Sequence, residues 1–215
     1  MKIYEKIIKH YETCLDTYGD SHLGVDWPNP KDAITRYEVM LDIISINKVL
    51  NKSISLLDFG CGTSHLFDYI INKKLNQIKY SGLDISDKFI NFSKNKYPET
   101  PFYLGDILDS NFEFPKHDYI VMNGVFTEKR SLTFDQMWNY FTEVLEKVFL
   151  KSNKGIAFNV MSKNVDWERD DLFHVSIDRL SKFMCDNLSR NFIIRNDYGL
   201  YEYTVYLFKD INNKF

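Results

Sequence analysis

The sequence predicts an α/β protein with a doubly wound parallel sheet, helices on both faces and an antiparallel hairpin at its C-terminal end. From residue 54 onward, β-rich apolar runs alternate with stretches that repeat apolar residues at helical spacing. A tight turn cannot join parallel strands, so this alternation indicates parallel strands connected by helical crossovers. Two last β-rich runs, 191–195 and 203–208, flank a short connection around Gly199, which is typical of a hairpin.

A length of 215 residues suits a single domain. Residues 1–51 are predicted to form an N-terminal helical lid and a loop, and residues 52–215 the cofactor-binding core. The lid helix covers about residues 2–17, and a second helix is expected after Lys31 with Asp32 as its N-cap. The predicted core elements are strands at 54–59, 79–84, 101–104, 118–123 and 155–161 and helices at 65–73, 87–96, 133–150 and 175–189.

The composition is that of a globular protein, with 44% hydrophobic residues, a net charge of −3 and interspersed charges. Without a basic segment, nucleic acid is not an expected partner. No run of about 18 apolar residues predicts a membrane span. Three distant cysteines fit neither a disulfide framework nor a zinc site and favour a reducing cytoplasm. We therefore expect a cytoplasmic protein, monomeric or homodimeric, that acts on a small molecule.

The most informative segment is an apolar run that ends in Asp58 and continues into a turn with Gly60 and Gly62. Glycines adopt positive φ without strain, so such a turn can bring backbone N–H groups close to a ligand. Apolar residues at helical spacing follow from Leu66. The order strand, glycine turn, helix predicts a nucleotide-type pocket.

Polar residues follow the other predicted strands as well. Asp84 follows the second strand, Asp106 the third, and Asn123 with Gly124 the fourth. Ligands of doubly wound sheets bind beyond the carboxyl ends of the strands, where these residues lie. An acid about 20 residues past the glycine turn can accept both hydrogen bonds of a ribose diol, a role that falls to Asp84.

Over about residues 54–210 this pattern resembles the class I S-adenosylmethionine-dependent methyltransferases. The resemblance implies a Rossmann-like sheet of seven strands, the last one antiparallel, and S-adenosyl-L-methionine as the cofactor. Residues 58–62 are similar to the family's first motif, 105–107 to its adenine-edge motif, and 123–126 to the motif beside the methyl donor. The cofactor-binding residues it implies are Asp58, Gly60, Cys61, Gly62, Asp84, Ile85, Asp106, Ile107, Asn123 and Gly124.

Two alternatives compete with this interpretation. An NAD-dependent oxidoreductase would need glycine at position 65, where the sequence has His65. A non-catalytic partner subunit with a cofactor fold would not need both Asp84 and the glycine turn. The sequence departs from the methyltransferase pattern at Ser64, which replaces the usual third glycine.

A second resemblance is to small-molecule methyltransferases, many of them associated with polysaccharide or surface-sugar operons. It is carried by residues 18–27 and 36–38 near the N-terminus and by residues 173–176 and 197–206 near the C-terminus. This second resemblance implies a small polar acceptor, an oxygen of a sugar or sugar-linked metabolite, including phosphate and phosphoramidate groups. Arg36 is the candidate partner for the carboxylate of the cofactor's methionine part, because a guanidinium can bind it through two parallel hydrogen bonds.

Methyl transfer from a sulfonium is an in-line displacement, so the protein mainly positions the acceptor and excludes water. An anionic acceptor oxygen needs no base, whereas a hydroxyl does, and histidine suits that work near neutral pH. The two candidates in the predicted acceptor segments are His174, which has acidic neighbours, and His22.

Aromatic residues in predicted loops are candidates for an apolar wall around the sulfonium. They are Trp27, Phe126 and Trp167. The acidic residues between 166 and 171 are interpreted as a solvated patch, so no metal is expected.

Overall fold

A single sheet with helices on both faces organises the chain in the computed structural model, which describes residues 2–46 and 53–209. The helices are α1 (Glu5–Tyr18), α2 (Pro30–Ile46), α3 (His65–Asn72), α4 (Asp87–Lys96), α5 (Phe134–Lys151) and α6 (Ile177–Asn187), with a short 3-10 helix at Leu23–Val25. The strands are β1 (Ile54–Phe59), β2 (Ile78–Asp84), β3 (Phe102–Leu104), β4 (His117–Met122), β5 (Ser152–Ser162), β6 (His174–Val175), β7 (Phe192–Arg195) and β8 (Glu202–Phe208).

The strand order is β3-β2-β1-β4-β5-β8-β7, and the two-residue β6 pairs with the end of β5. Strands β1 to β6 run parallel to their neighbours among themselves, while β8 is antiparallel to both β5 and β7. The doubly wound sheet and its antiparallel hairpin are thus confirmed. The chain moves from β1 outward to β3 and then returns to β4, so the strand order reverses between the carboxyl ends of β1 and β4.

Apolar residues on the two faces of the sheet form two separate cores. One core packs α1, α5 and α6 against the sheet, and the other packs α2, α3 and α4. All seven residues of β8 are buried, because this strand lies between β5 and β7 and is covered on both faces. In the part of the chain that the structure describes, no helix combines the length and apolarity needed to cross a membrane.

Helix α2 begins earlier than its sequence pattern predicts. It starts at Pro30. The side-chain Oδ1 of Asn29 accepts the Lys31 N–H at 3.0 Å, and the Asn29 side-chain amide donates to Asp32 at 2.8 Å. The prediction that Asp32 is the N-cap was wrong, because proline is favoured at the first helical position, where no N–H is needed. The predicted boundary between lid and core, at residues 51 and 52, lies outside the described residues.

Candidate active site

A deep cleft opens at the carboxyl ends of β1, β2 and β4, and α1 covers it. It encloses about 960 Å³, counted out to its open mouth. Its lining includes six aromatic rings but, in the described part of the chain, no lysine or arginine. The lining residues are Tyr4, Ile7, Ile8, Tyr11, Val25, Trp27, Tyr37, Asp58, Gly60, Cys61, Gly62, His65, Leu66, Asp84, Ile85, Ser86, Phe89, Asn123, Gly124, Val125 and Tyr140.

The glycine turn forms the floor of this cleft. Gly60 and Gly62 have φ angles of +77° and +52°, which side chains with a Cβ rarely adopt. A Cβ at Gly60 would lie 2.6 Å from Cγ2 of Val125, so the turn needs glycine there for space as well as for conformation. The backbone of the turn is therefore free to approach a ligand closely.

Ser64, the residue that replaces the usual third glycine, keeps the left-handed conformation with φ +65°. Its hydroxyl donates to the Ser93 hydroxyl at 2.8 Å, and Ser93 in turn donates to the Gly62 carbonyl at 2.8 Å. These two buried hydrogen bonds link the turn to α4. The departure at position 64 therefore leaves the shape of the turn intact.

Asp84 and Asp58 lie buried on the cleft wall, with 8% and 3% of their surfaces exposed. Asp84 accepts the N–H groups of Gly62 at 3.0 Å and Ser86 at 2.9 Å, and burial raises its pKa to about 6. Asp58 accepts the Tyr80 hydroxyl at 2.8 Å; burial chiefly, with the neighbouring Asp84 charge, raises its pKa to about 7. Neither carboxylate forms an ion pair with another described residue, so this wall favours a cationic ligand.

Asn123 and Gly124 extend the wall from the end of β4. The Asn123 Oδ1 atom is buried without a hydrogen-bond partner among the described residues. Because an unmade hydrogen bond of a buried group is costly, this oxygen suits a ligand that carries an N–H or O–H donor. Gly124 has φ +77°, and the Trp27 ring occupies the space where its Cβ would lie, at 2.5 Å.

The glycine turn, Asp58, Asp84 and the Asn123 oxygen fit S-adenosylmethionine, whose sulfonium and ammonium groups are cations. None of these three side chains has an ion-pair partner within the described part of the chain. Of the ten cofactor-binding residues implied by the first resemblance, eight line one cleft. Asp106 and Ile107 do not: Ile107 is buried in the core, and Asp106 accepts hydrogen bonds from Tyr4 and Lys2 of the N-terminal segment. Tyr4 itself lines the cleft, where its ring stacks on Tyr140 with centroids 4.7 Å apart.

The structure places Arg36 behind the cleft wall. Its guanidinium binds the Glu202 carboxylate with N···O distances of 2.8 to 3.0 Å, and its Cζ lies 4.1 Å from the ring centroid of Trp27. Of the three aromatic candidates, Trp27 lines the cleft, whereas Phe126 is fully buried against Phe141 in the core. Trp167 is 48% exposed and contacts another aromatic ring away from the cleft.

Neither predicted catalytic histidine lines the cleft. The His174 ring donates from Nδ1 to the Ser162 carbonyl at 2.7 Å and accepts the Arg169 N–H at Nε2. Both ring nitrogens therefore form hydrogen bonds that stabilise the loop before β6. His22 donates from Nδ1 to the Trp27 carbonyl at 2.6 Å. A third histidine, His65, does line the cleft.

The contribution of α1 is the main feature that the site predictions missed. Tyr4, Ile7, Ile8 and Tyr11 cover the cleft from above. Their spacing of three and four residues predicts one face of a helix, but periodicity does not say which surface that face covers. Tyr37, Phe89 and Tyr140 were also missed, since each looks like an ordinary core residue of its helix.

A polar cluster fastens α1 to the loops beside the cleft. His10 donates to Asp26 at 2.7 Å and accepts from Arg130 at 2.9 Å, and Arg130 also pairs with Glu128 at 3.1 Å. Burial, together with the hydrogen bond shared with Asp26, raises the pKa of Glu128 to about 7. Nδ1 of His10 accepts the arginine N–H, so Nε2 carries the ring proton that is donated to Asp26. A nitrogen that carries a proton cannot bind a metal ion.

Comparison with known proteins agrees with this site. A family model described as a methyltransferase domain matches residues 57–147. Rv1506c of Mycobacterium tuberculosis, which is named as a methyltransferase, is 27% identical over 157 residues, covering 70% of this chain and 90% of that relative.

Solved methyltransferases share the fold. Magnesium protoporphyrin IX methyltransferase from Synechocystis PCC 6803, solved with bound S-adenosylhomocysteine, superimposes with a TM-score of 0.61 at 14% identity, covering 96% of this chain and all of that one. The plantazolicin methyltransferase BpumL gives a TM-score of 0.61 at 15% identity, with 96% and 100% coverage.

The methyltransferase-domain match, the named relative and the shared fold together indicate a class I S-adenosylmethionine-dependent methyltransferase. The matched domain spans β1 to α5 and so contains the glycine turn, Asp84 and Asn123. The chain is accordingly a methyltransferase, and S-adenosyl-L-methionine is its cofactor.

Proposed function

We propose that this enzyme methylates a small polar acceptor in the cytoplasm, an oxygen of a sugar or sugar-linked metabolite. The observation that carries the proposal is the cleft itself, a partly open chamber with aromatic walls and a few buried polar groups. Such a chamber suits a small molecule that is held on several sides. The related solved enzymes act on a porphyrin and on plantazolicin, so the shared fold leaves the acceptor open.

The charges of the cleft favour an uncharged acceptor over a phosphate or phosphoramidate. Its described lining has two carboxylates and no lysine or arginine to balance an added anion. An anionic acceptor would therefore enter a site that already disfavours negative charge. Among the acceptor groups considered from the sequence, we propose a hydroxyl.

When bound, S-adenosylmethionine supplies an electrophilic methyl group. Asp84 would hold the ribose hydroxyls, the 60–62 turn would approach the methionine part, and Asp58 would face its ammonium group. The Asn123 oxygen, unpartnered among the described residues, would accept a hydrogen bond from the bound ligand. Trp27 and the rings of α1 exclude water, which strengthens these polar interactions.

A hydroxyl acceptor requires a base, and we propose His65 for this role. It lies on the cleft wall, and its Nε2 is 2.7 Å from Oδ1 of Asp20. A carboxylate in that position orients the imidazole, as in other histidine bases. His174 and His22 would each have to leave their carbonyl partners to act in the cleft.

Isothermal titration calorimetry tests the cofactor part of this proposal. S-adenosylhomocysteine should bind, and NAD should not. Asp84→Ala should lose about tenfold or more in affinity for S-adenosylhomocysteine, because the proposed acceptor of the ribose hydroxyls is removed. A screen of sugar and sugar-nucleotide acceptors with methyl-labelled cofactor then tests the acceptor. Binding of NAD instead of S-adenosylhomocysteine would overturn the assignment.

A further inference from the structure

A closed circuit of contacts runs behind the part of the cleft that Trp27 and Gly124 line. The Gly124 N–H donates to Oδ1 of Asn159 at 2.8 Å, and the Asn159 amide donates to Oε1 of Glu202 at 2.8 Å. Glu202 binds Arg36, Arg36 stacks on Trp27, and the Trp27 ring returns to Gly124. We call these five residues the Gly124–Glu202 circuit.

The circuit joins segments that are far apart in the chain. Arg36 belongs to α2, Asn159 to β5 and Glu202 to β8, while Trp27 and Gly124 lie in loops. Only Trp27 and Gly124 line the cleft. The other three residues therefore act on the cleft through these two.

Each buried polar group of the circuit has its hydrogen-bond partner in the next residue of the circuit. Asn159 is fully buried and Glu202 is 1% exposed. The Asn159 orientation is determined, because its oxygen must face the Gly124 N–H and its amide must face the Glu202 carboxylate. The planar guanidinium of Arg36 matches that carboxylate and at the same time stacks on the Trp27 ring.

We propose that Glu202 is a positioning residue for the active site. Through Asn159 it fixes the backbone of Gly124, which follows Asn123 on the cleft wall, and through Arg36 it fixes the Trp27 ring over the same glycine. Burying the Arg36–Glu202 ion pair costs desolvation free energy. The positioning role explains why such a pair is present so close to the cleft. It also replaces the predicted role of Arg36 as a direct ligand of the cofactor.

The test is Glu202→Gln, which preserves the shape of the side chain and removes its charge. With one buried partner of Arg36 and Asn159 lost, we expect the Kd for S-adenosylhomocysteine to rise about tenfold. The calorimetric titration is run at a temperature where circular dichroism shows the variant fully folded. Tryptophan emission, corrected by the spectrum of Trp27→Phe, should show that acrylamide quenches Trp27 more strongly.

A matched control comes from the Asp42–Arg195 ion pair, which also joins α2 to the terminal hairpin. Neither of its residues lines the cleft. Asp42→Asn should leave the Kd and the Trp27 quenching unchanged. If Glu202 only ties α2 to the hairpin, Glu202→Gln and Asp42→Asn will both leave the Kd unchanged, and the proposal is then wrong.

Arg36→Lys decides the question if Glu202→Gln fails to fold. Lysine keeps the positive charge but loses the paired hydrogen bonds and the stacking on Trp27. The proposal expects a smaller rise in Kd and stronger Trp27 quenching in this variant. A wild-type Kd and wild-type quenching in Arg36→Lys would overturn it.

Discussion

Replacing Gly60 with alanine separates two reasons for a glycine in the cofactor turn, its backbone conformation and the space around it. Gly60 has φ +77°, a conformation that costs a residue with a Cβ about 1–2 kcal/mol. The new methyl group would also lie 2.6 Å from Cγ2 of Val125. Valine is stiff at χ1 and cannot turn away freely, so this overpacking adds about 1–3 kcal/mol.

Gly199 provides the matched control, because it has the same φ of +77° but no atom of the described residues within 4 Å of where its Cβ would lie. We expect urea unfolding, followed by circular dichroism, to show a loss of about 1–2 kcal/mol for Gly199→Ala. The loss for Gly60→Ala should be about 2–5 kcal/mol. The unfolded-state effect of adding a methyl group is common to both variants and cancels in the difference.

The difference between the two variants therefore measures the Val125 contact alone. Gly60→Ala should also weaken S-adenosylhomocysteine binding, whereas Gly199→Ala should not. Equal losses of stability in the two variants would refute the packing argument. Unchanged cofactor binding in Gly60→Ala would refute the role of the turn.

Three further predictions concern protonation, the N-terminal helix and the base. The raised pKa values of Asp58 and Asp84 mean that the folded, ligand-free protein binds more protons than the unfolded chain. The stabilisation from these two groups is therefore present below about pH 4 and is lost as pH rises through 6 and 7. Urea unfolding should show that the unfolding free energy falls over this pH range, and Asp58→Asn should reduce the slope. Tyr4→Phe removes the hydrogen bond to Asp106 and should cost about 1 kcal/mol in unfolding free energy, while stopped-flow fluorescence shows faster release of S-adenosylhomocysteine. With a hydroxyl acceptor, His65→Ala should lower kcat about 100-fold or more in a labelled-methyl assay. An equal loss of kcat in His174→Ala would contradict the assignment of His65 as the base.

Strands β1 to β5 were predictable because each is a mainly apolar run with turn or helix signals on either side. β1, at Ile54–Phe59, and α4, at Asp87–Lys96, have the predicted boundaries, and the hairpin follows from two β-rich runs. β6 escaped prediction because two residues, His174 and Val175, carry no periodicity. Its pairing depends on the end of β5, which is distant in the chain.

The location of a site residue in the cleft was predictable where the residue follows a strand end, and its role stays a prediction. Asp84 and the glycine turn are of this kind. Arg36 is not, because its partner Glu202 is 166 residues away and its charge alone cannot distinguish a ligand from an ion-pair partner. Phe126 is similar, since sequence cannot tell whether a ring beside a motif turns toward the cleft or toward the core.

The position of α1 has a consequence for kinetics. The helix is fastened by Tyr4 at its start, by His10 in the middle and by the Asp16–Lys88 pair, at 2.7 Å, near its end. The mouth of the cleft is partly open, but we expect a cofactor bound beneath α1 to enter and leave only when these contacts open. Observed association rates should then level off at high ligand concentration, and escape of the demethylated product, rather than the methyl transfer itself, would set the turnover rate.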